Sequence, residues 1–151
     1  GMDFREQILA SHLNGHDYDL VFLDCPPSVD ILHTAALVAA DYLLIPTKLD
    51  QFAIKGVMEM LRSLASVQAA TRSRCELAGI IPTFYDQVTN ESHGQLKNLA
   101  GQFNGAVWPP VAQDTKCREA NRLGQTLWEI EGTPRSLAGY SECLERLLRM
   151  M

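Results

Sequence analysis

The sequence predicts an α/β fold, a doubly wound and mainly parallel sheet in a single domain covering residues 1–151. Three observations lead there. Short apolar runs stopped by Asp or Pro alternate with longer segments of helical periodicity. The runs are unbroken instead of alternating polar and apolar, which marks strands covered on both faces. The chain has 151 residues, 46% hydrophobic and 21% charged, which suits one core of ordinary globular composition.

The elements follow in order. Asp3–Leu13 reads as a helix with Phe4, Ile8 and Leu9 turned inward, ended by Asn14-Gly15. Leu20–Leu23 is an apolar run that reads as a buried strand. Val29–Ala40 is alanine-rich and reads as a helix against the sheet. Tyr42–Ile45 is a second strand, stopped by Pro46. Ala53–Ala69 places Ile54, Val57, Leu61, Leu64 and Ala65 at helical spacing. Leu77–Ile81 is a third strand with Pro82 just past it. Ser92–Phe103 is a helix, Ala106–Trp108 a short strand before Pro109-Pro110, and Thr115–Leu123 a short helix with Gly124 as its stop. Pro134–Met150 closes the chain as a helix with Pro134 near its first turn. Its stripe of Leu137, Tyr140, Leu144, Leu147, Leu148 and Met151 is expected to pack on the core.

Composition excludes several classes. The net charge of -5 gives no global basic field toward nucleic acid or anionic lipid. No apolar run approaches the roughly 18 residues of a membrane span. No charged-then-apolar leader pattern is seen, so the expected setting is the cytoplasm. Gly1 before Met2 reads as a tag scar. Cys25, Cys75, Cys117 and Cys143 form no C-x-x-C pair and read as reduced thiols. His12 and His16 are four apart, but Asn14-Gly15 between them breaks the helix a metal pair would need.

The stretch "LVFLDCPPS" carries the first chemical signal. An apolar strand ending on aspartate is the Walker B pattern, whose carboxylate holds Mg²⁺, often through a water, beside phosphates. Asp24 is that residue. The same pattern also fits a strand-end aspartate acting only as a cap. Pro26-Pro27 stiffens the turn and removes two backbone donors.

"YDLVFLDCPPS", "AADYLLIPTKLDQFAIKG", "LAGIIPTFYDQVTN" and "TKCREANRLGQTL" occur in this order. Together they resemble the carboxyl-terminal part of ParA-type partition ATPases, of the ParA/MinD deviant Walker A group, a P-loop NTPase-like fold. The resemblance runs from about Tyr18 to the end. It implies Asp24 as the Walker B aspartate and Cys25, Pro26, Pro27 and Ser28 as the switch II turn. Pro46 matches the proline after the next strand, and Asp50 an acidic position beyond it. Thr83 falls where the family strand meets the base pocket. Val111, Ala112, Gln113 and Asp114 match the loop against the adenine, usually "IPRN". Glu119-Ala120 and Gly124 match the "EA…G" that follows.

Departures from the family shape the expectations. Ala112 stands where the loop has proline. Val88 stands where the family often has arginine, and Lys116 where it has a second arginine, so DNA contact is expected to be weak and centred on Lys116. There is no G-x-x-x-x-G-K-[ST] sequence, so the amides and lysine that cradle phosphates are missing. The chain therefore reads as a fragment truncated at its N-terminus, with no catalytic residue of its own. ATP and Mg²⁺ are expected in the intact parent and not in this chain. The resemblance further implies ATP-dependent dimerisation, DNA and a ParB-like stimulating partner in the parent, and no membrane. The chain itself is expected to form a homodimer. A MinD-like cargo- or division-site-positioning ATPase, or a nucleotide-free module that pairs with an intact ATPase, are the alternatives.

Overall fold

The computed structural model describes residues 5–15, 17–26 and 30–150. The elements are α1 (Arg5–Leu13), α2 (Ile31–Ala39), β1 (Tyr42–Lys48), α3 (Ala53–Ala70), β2 (Glu76–Thr83), α4 (Asn90–Gln102), α5 (Lys116–Leu123) and α6 (Arg135–Leu148). The fold is α/β, and β1 and β2 form a two-stranded sheet. It is parallel: Glu76 N–H bonds Asp41 O at one end and Leu49 N–H bonds Thr83 O at the other, so both strands advance together. Two compact units divide the chain. One is Gly1–Leu43 with Met58–Leu77, the other Leu44–Val57 with Ala78–Met151.

In the first unit α1 packs on α2. Gly15, at φ 105°, ends α1 in a conformation that favours glycine, as its sequence suggested. Ile8, expected inward, is 52% exposed, and Phe4 lies outside the described residues. The start of α2 is fixed by Asp30, whose Oδ1 accepts from Leu32 N–H (3.0 Å) and His33 N–H (3.1 Å). The core joins Leu37, Leu64, Val67 and Cys75, with Leu43 and Leu77 packed against it. Two side chains close polar gaps around it. Ser73 Oγ donates to Leu37 O at 2.6 Å, and Gln68 Nε2 donates to Cys75 O at 2.8 Å.

The strand expected at Leu20–Leu23 is not formed. Residues 20–26 lie outside helix and strand. Val21 is 46% exposed and Phe22 65%. Neighbouring residues of an extended chain point opposite ways, so each face of this run carries one exposed residue beside a half-buried one, Leu20 or Leu23, and neither is fully covered. An apolar run becomes a strand only when a neighbour completes its ladder, and none among the described residues does so.

In the second unit, β1 continues through Pro46 instead of stopping there. Asp41 and Leu49 both bond toward β2, so odd-numbered residues of β1 face β2 and Pro46 turns its missing N–H away from it. Residues 106–113 run along the other side of β2. Ile80 N–H bonds Ala106 O (2.9 Å), Trp108 N–H bonds Ile80 O (2.8 Å) and Val111 N–H bonds Pro82 O (2.8 Å). The expected strand Ala106–Trp108 is reduced to isolated parallel bridges, Ile80 to Val107 and Tyr85 to Ala112. Pro109 and Pro110 have no N–H and interrupt the ladder between them. Trp108 lies on the face of Gly79, where any Cβ would collide with its indole. The Arg146 guanidinium of α6 sits 6.0 Å from the same ring's centroid. Gly139 lets α6 approach the 110–111 backbone, since a Cβ there would come within 3.0 Å of Val111 Cα.

Helix α6 departs from the expected packing. Ser136, Cys143 and Leu147 are buried. Tyr140, Leu144 and Leu148 are 38%, 39% and 53% exposed, and Met151 lies outside the described residues. The apolar arc is wider than the surface it covers, so only its inner edge is core.

Candidate functional site

A cavity of about 350 Å³ opens where the chain leaves the carboxyl end of β2. One wall is Tyr85, Asp86, Gln87 and Val88. The facing wall is Ala112, Gln113 and Thr115, and Arg135 of α6 borders both. Carboxyl ends of parallel strands are where open α/β sheets receive ligands.

Local sequence builds the first wall. Phe84 adopts φ 56°, a left-handed conformation rare for an aromatic residue, and this turns the chain out of β2. Asp86 then forms a side-chain turn, its Oδ1 accepting from Val88 N–H at 2.9 Å. Asp86 N–H donates to Ser92 Oγ at 3.2 Å, fastening the wall to α4. Tyr85 and His93 meet edge to face with ring centroids 5.5 Å apart, joined by a 2.9 Å bond from the phenol to Nδ1.

The second wall is pinned by backbone. Tyr85 N–H bonds Val111 O (3.0 Å) and Gln113 N–H bonds Tyr85 O (2.8 Å). Asp114 then ties the wall to two helices. Its Oδ1 accepts from Lys116 N–H (2.9 Å), and its Oδ2 from Ser136 N–H (3.1 Å) and Ser136 Oγ (3.4 Å). Desolvation pushes this carboxyl up, but the hydrogen bonds from Lys116, Ser136 and Arg135 outweigh it and hold the group below the usual carboxylate range.

Of the residues the sequence singled out for the base, Ala112 and Gln113 line the cavity. Val111 is buried (2% exposed) and supplies backbone. Thr83 is buried and donates from Oγ1 to Thr47 O at 3.1 Å, away from the cavity lining. Asp114 supports the wall from outside. Lys116 is engaged with Glu119 at 2.8 Å. In the first unit Asp24, Cys25 and Pro26 are exposed, while Pro27 and Ser28 lie outside the described residues. Asp24 does not cap the following helix; Asp30 does. Asp50 accepts from Phe52 N–H at 2.8 Å, which marks the turn into α3.

No group of three or more metal-ligating side chains occurs among the described residues. An exposed single carboxylate such as Asp24 suits Mg²⁺ only if water and phosphate oxygens complete its shell. His12 spends Nδ1 on Ile8 O at 2.9 Å, and His16 is outside the described residues. All four cysteines are free thiols.

Sequence reasoning missed Tyr85, Asp86, Gln87, Val88, Thr115 and Arg135 as cavity residues. The Asp86-x-Val88 turn and the Tyr85…His93 spacing were the available signals. It also missed His33, which is 4% exposed and whose Nε2 has no hydrogen-bond partner among the described residues.

The AAA domain model, AAA_31, matches residues 2–77. The chromosome partitioning protein ParA of Caulobacter vibrioides is 30% identical over 122 residues, 80% of this chain and 45% of that protein. The chain spans about half the length of the curated relatives it matches. Among solved structures, cobyrinic acid a,c-diamide synthase from Mycobacterium smegmatis, with bound ATP analog and magnesium, superposes with TM-score 0.76 at 30% identity. That match covers 98% of this chain and 55% of that one. Apo McdA of Cyanothece superposes with TM-score 0.84 at 20% identity, over 95% and 59% of the two chains, and shows the fold. The chain belongs to the AAA domain family, and its curated relatives there are ParA-type partition ATPases.

Proposed function

We propose that this chain is the part of a ParA-like partition ATPase that receives the nucleotide base and carries the Walker B carboxylate. The supporting observation is the cavity at the end of β2, with Ala112 and Gln113 in its wall at the positions the family uses against adenine. A planar base would lie against the surface that the bridged Tyr85 and Ala112 segments form together, with Gln87, Gln113 and Arg135 as the polar groups around it. Asp24 would hold Mg²⁺ through water, and the Cys25, Pro26, Pro27, Ser28 turn would sense it. A bound Mg²⁺ would neutralise phosphate charge. The solved relative with an ATP analog and magnesium is consistent with that pair of ligands.

The intact protein would dimerise on ATP and hydrolyse it to partition DNA, with a ParB-like partner. This chain, without a glycine-rich phosphate loop, binds nucleotide weakly and does not hydrolyse it. Its contribution to DNA binding is small, because Lys116 is paired with Glu119 and the net charge is -5.

Amide chemical shifts during titration with adenosine test the base site. The expected outcome is a shift confined to the two cavity walls at millimolar ligand. Shifts elsewhere, or none, remove the assignment. Calorimetry with Mg·ATP should return a constant weaker than about 1 mM, and a micromolar value would refute the phosphate-loop argument.

A further inference from the structure

We propose that His93 is a positioning residue that sets the shape of the Tyr85–Val88 wall. The proposal rests on the base-site reading and extends it, because His93 lies outside the cavity lining. His93 Nε2 lies 3.0 Å from Gln87 O, which can only accept, so Nε2 carries the proton. In the neutral ring Nδ1 is then an acceptor, and the Tyr85 hydroxyl donates to it at 2.9 Å. One imidazole therefore grips two residues of the same wall, one through its side chain and one through its peptide.

The grip acts where the backbone ladder does not. Tyr85 N–H and O are already fixed by Val111 and Gln113. What they leave open is the direction of the Tyr85 ring and of the Gln87 carbonyl, and these are the two groups His93 holds. The left-handed Phe84 just before the wall makes the segment one whose shape must be imposed by its surroundings. His93 itself is exposed on the first turn of α4, so its loss leaves the core intact.

The test uses the 151-residue chain with His93→Leu, Tyr85→Phe and the double variant. Ring nitrogen spectra of the wild type should show the Nε2-protonated tautomer with Nδ1 accepting, and Tyr85→Phe should erase the accepting signature. His93→Leu should speed amide exchange at Val88 and weaken adenosine binding, each by about tenfold, with the melting temperature unchanged. The double variant should be no weaker than His93→Leu alone, because that substitution already removes the contact that Tyr85→Phe removes. Unchanged exchange and unchanged adenosine affinity in His93→Leu overturn the role of His93. A wild-type chain that ignores adenosine overturns the base-site reading instead, and the exchange measurement still decides the role of His93 in the wall.

Discussion

Asp114 ends one wall of the cavity and caps the starts of α5 and α6 with its two oxygens. Pro134, the N-cap residue of α6, has no side-chain cap of its own. Losing a helix cap costs about 0.5–2 kcal/mol, so Asp114→Ala should cost about 2 kcal/mol or more in urea unfolding. Because its folded pKa lies below the ordinary 3.8, its contribution is present above that pH and is lost as pH falls through the folded value. The acid limb of the stability profile should flatten in Asp114→Ala. His33 predicts the opposite sign. A buried nitrogen costs about 1–3 kcal/mol when it has no partner, and Nε2 has none among the described residues, so His33→Leu should leave the urea midpoint unchanged or raise it. A lowered midpoint would mean that Nε2 has a partner in solution. Sequence gave Asp114 a place in the base loop but could not show the carboxylate reaching Ser136, 22 positions away. It left Asp24 open as a strand-end cap and did not single out Asp30, whose extended backbone sets its carboxylate over the Leu32 and His33 amides.

At the scale of elements, periodicity located the six helices and two strands of the described residues within a few positions, since those patterns are local. It failed where an element depends on a neighbour. The run Leu20–Leu23 has strand composition and no ladder, and Ala106–Trp108 has a ladder cut by prolines. Pro46 reads as a stop because sequence does not say which side of β1 lacks a partner. The stripe on α6 reads as core throughout, because hydrophobicity marks what can be buried, not what is. The two edges of that stripe should respond differently. Leu147→Ala, at 5% exposure, should cost about 2–5 kcal/mol. Leu144→Gln, at 39%, should change stability by less than about 0.5 kcal/mol. Equal losses in urea titrations would place Leu144 in the core after all.

For the whole molecule, the described residues include no helix long and apolar enough to cross a membrane. The first unit nonetheless exposes Tyr18, Val21, Phe22, Ile31 and Leu32, at 46–73%. Apolar side chains exposed in this number are expected to favour association. The expected outcome in size-exclusion chromatography with light scattering is a homodimer, reduced toward monomer by Phe22→Glu with Leu32→Glu. A wild-type monomer at micromolar concentration would contradict it.

Helix α6 is held to the second unit by Asp114, by the Gly139 approach to Val111 and by Arg146 on Trp108, all contacts made by residues of the helix itself. The connecting segment around Glu131-Gly132 is exposed and contributes none of them. The molecule should tolerate being expressed as two pieces divided at that point, with the shorter peptide recaptured by the longer one in a stoichiometric complex. Isotope-edited spectra should then show the resonances of the uncut chain everywhere except beside the break, and peptide carrying Gly139→Val should fail to dock.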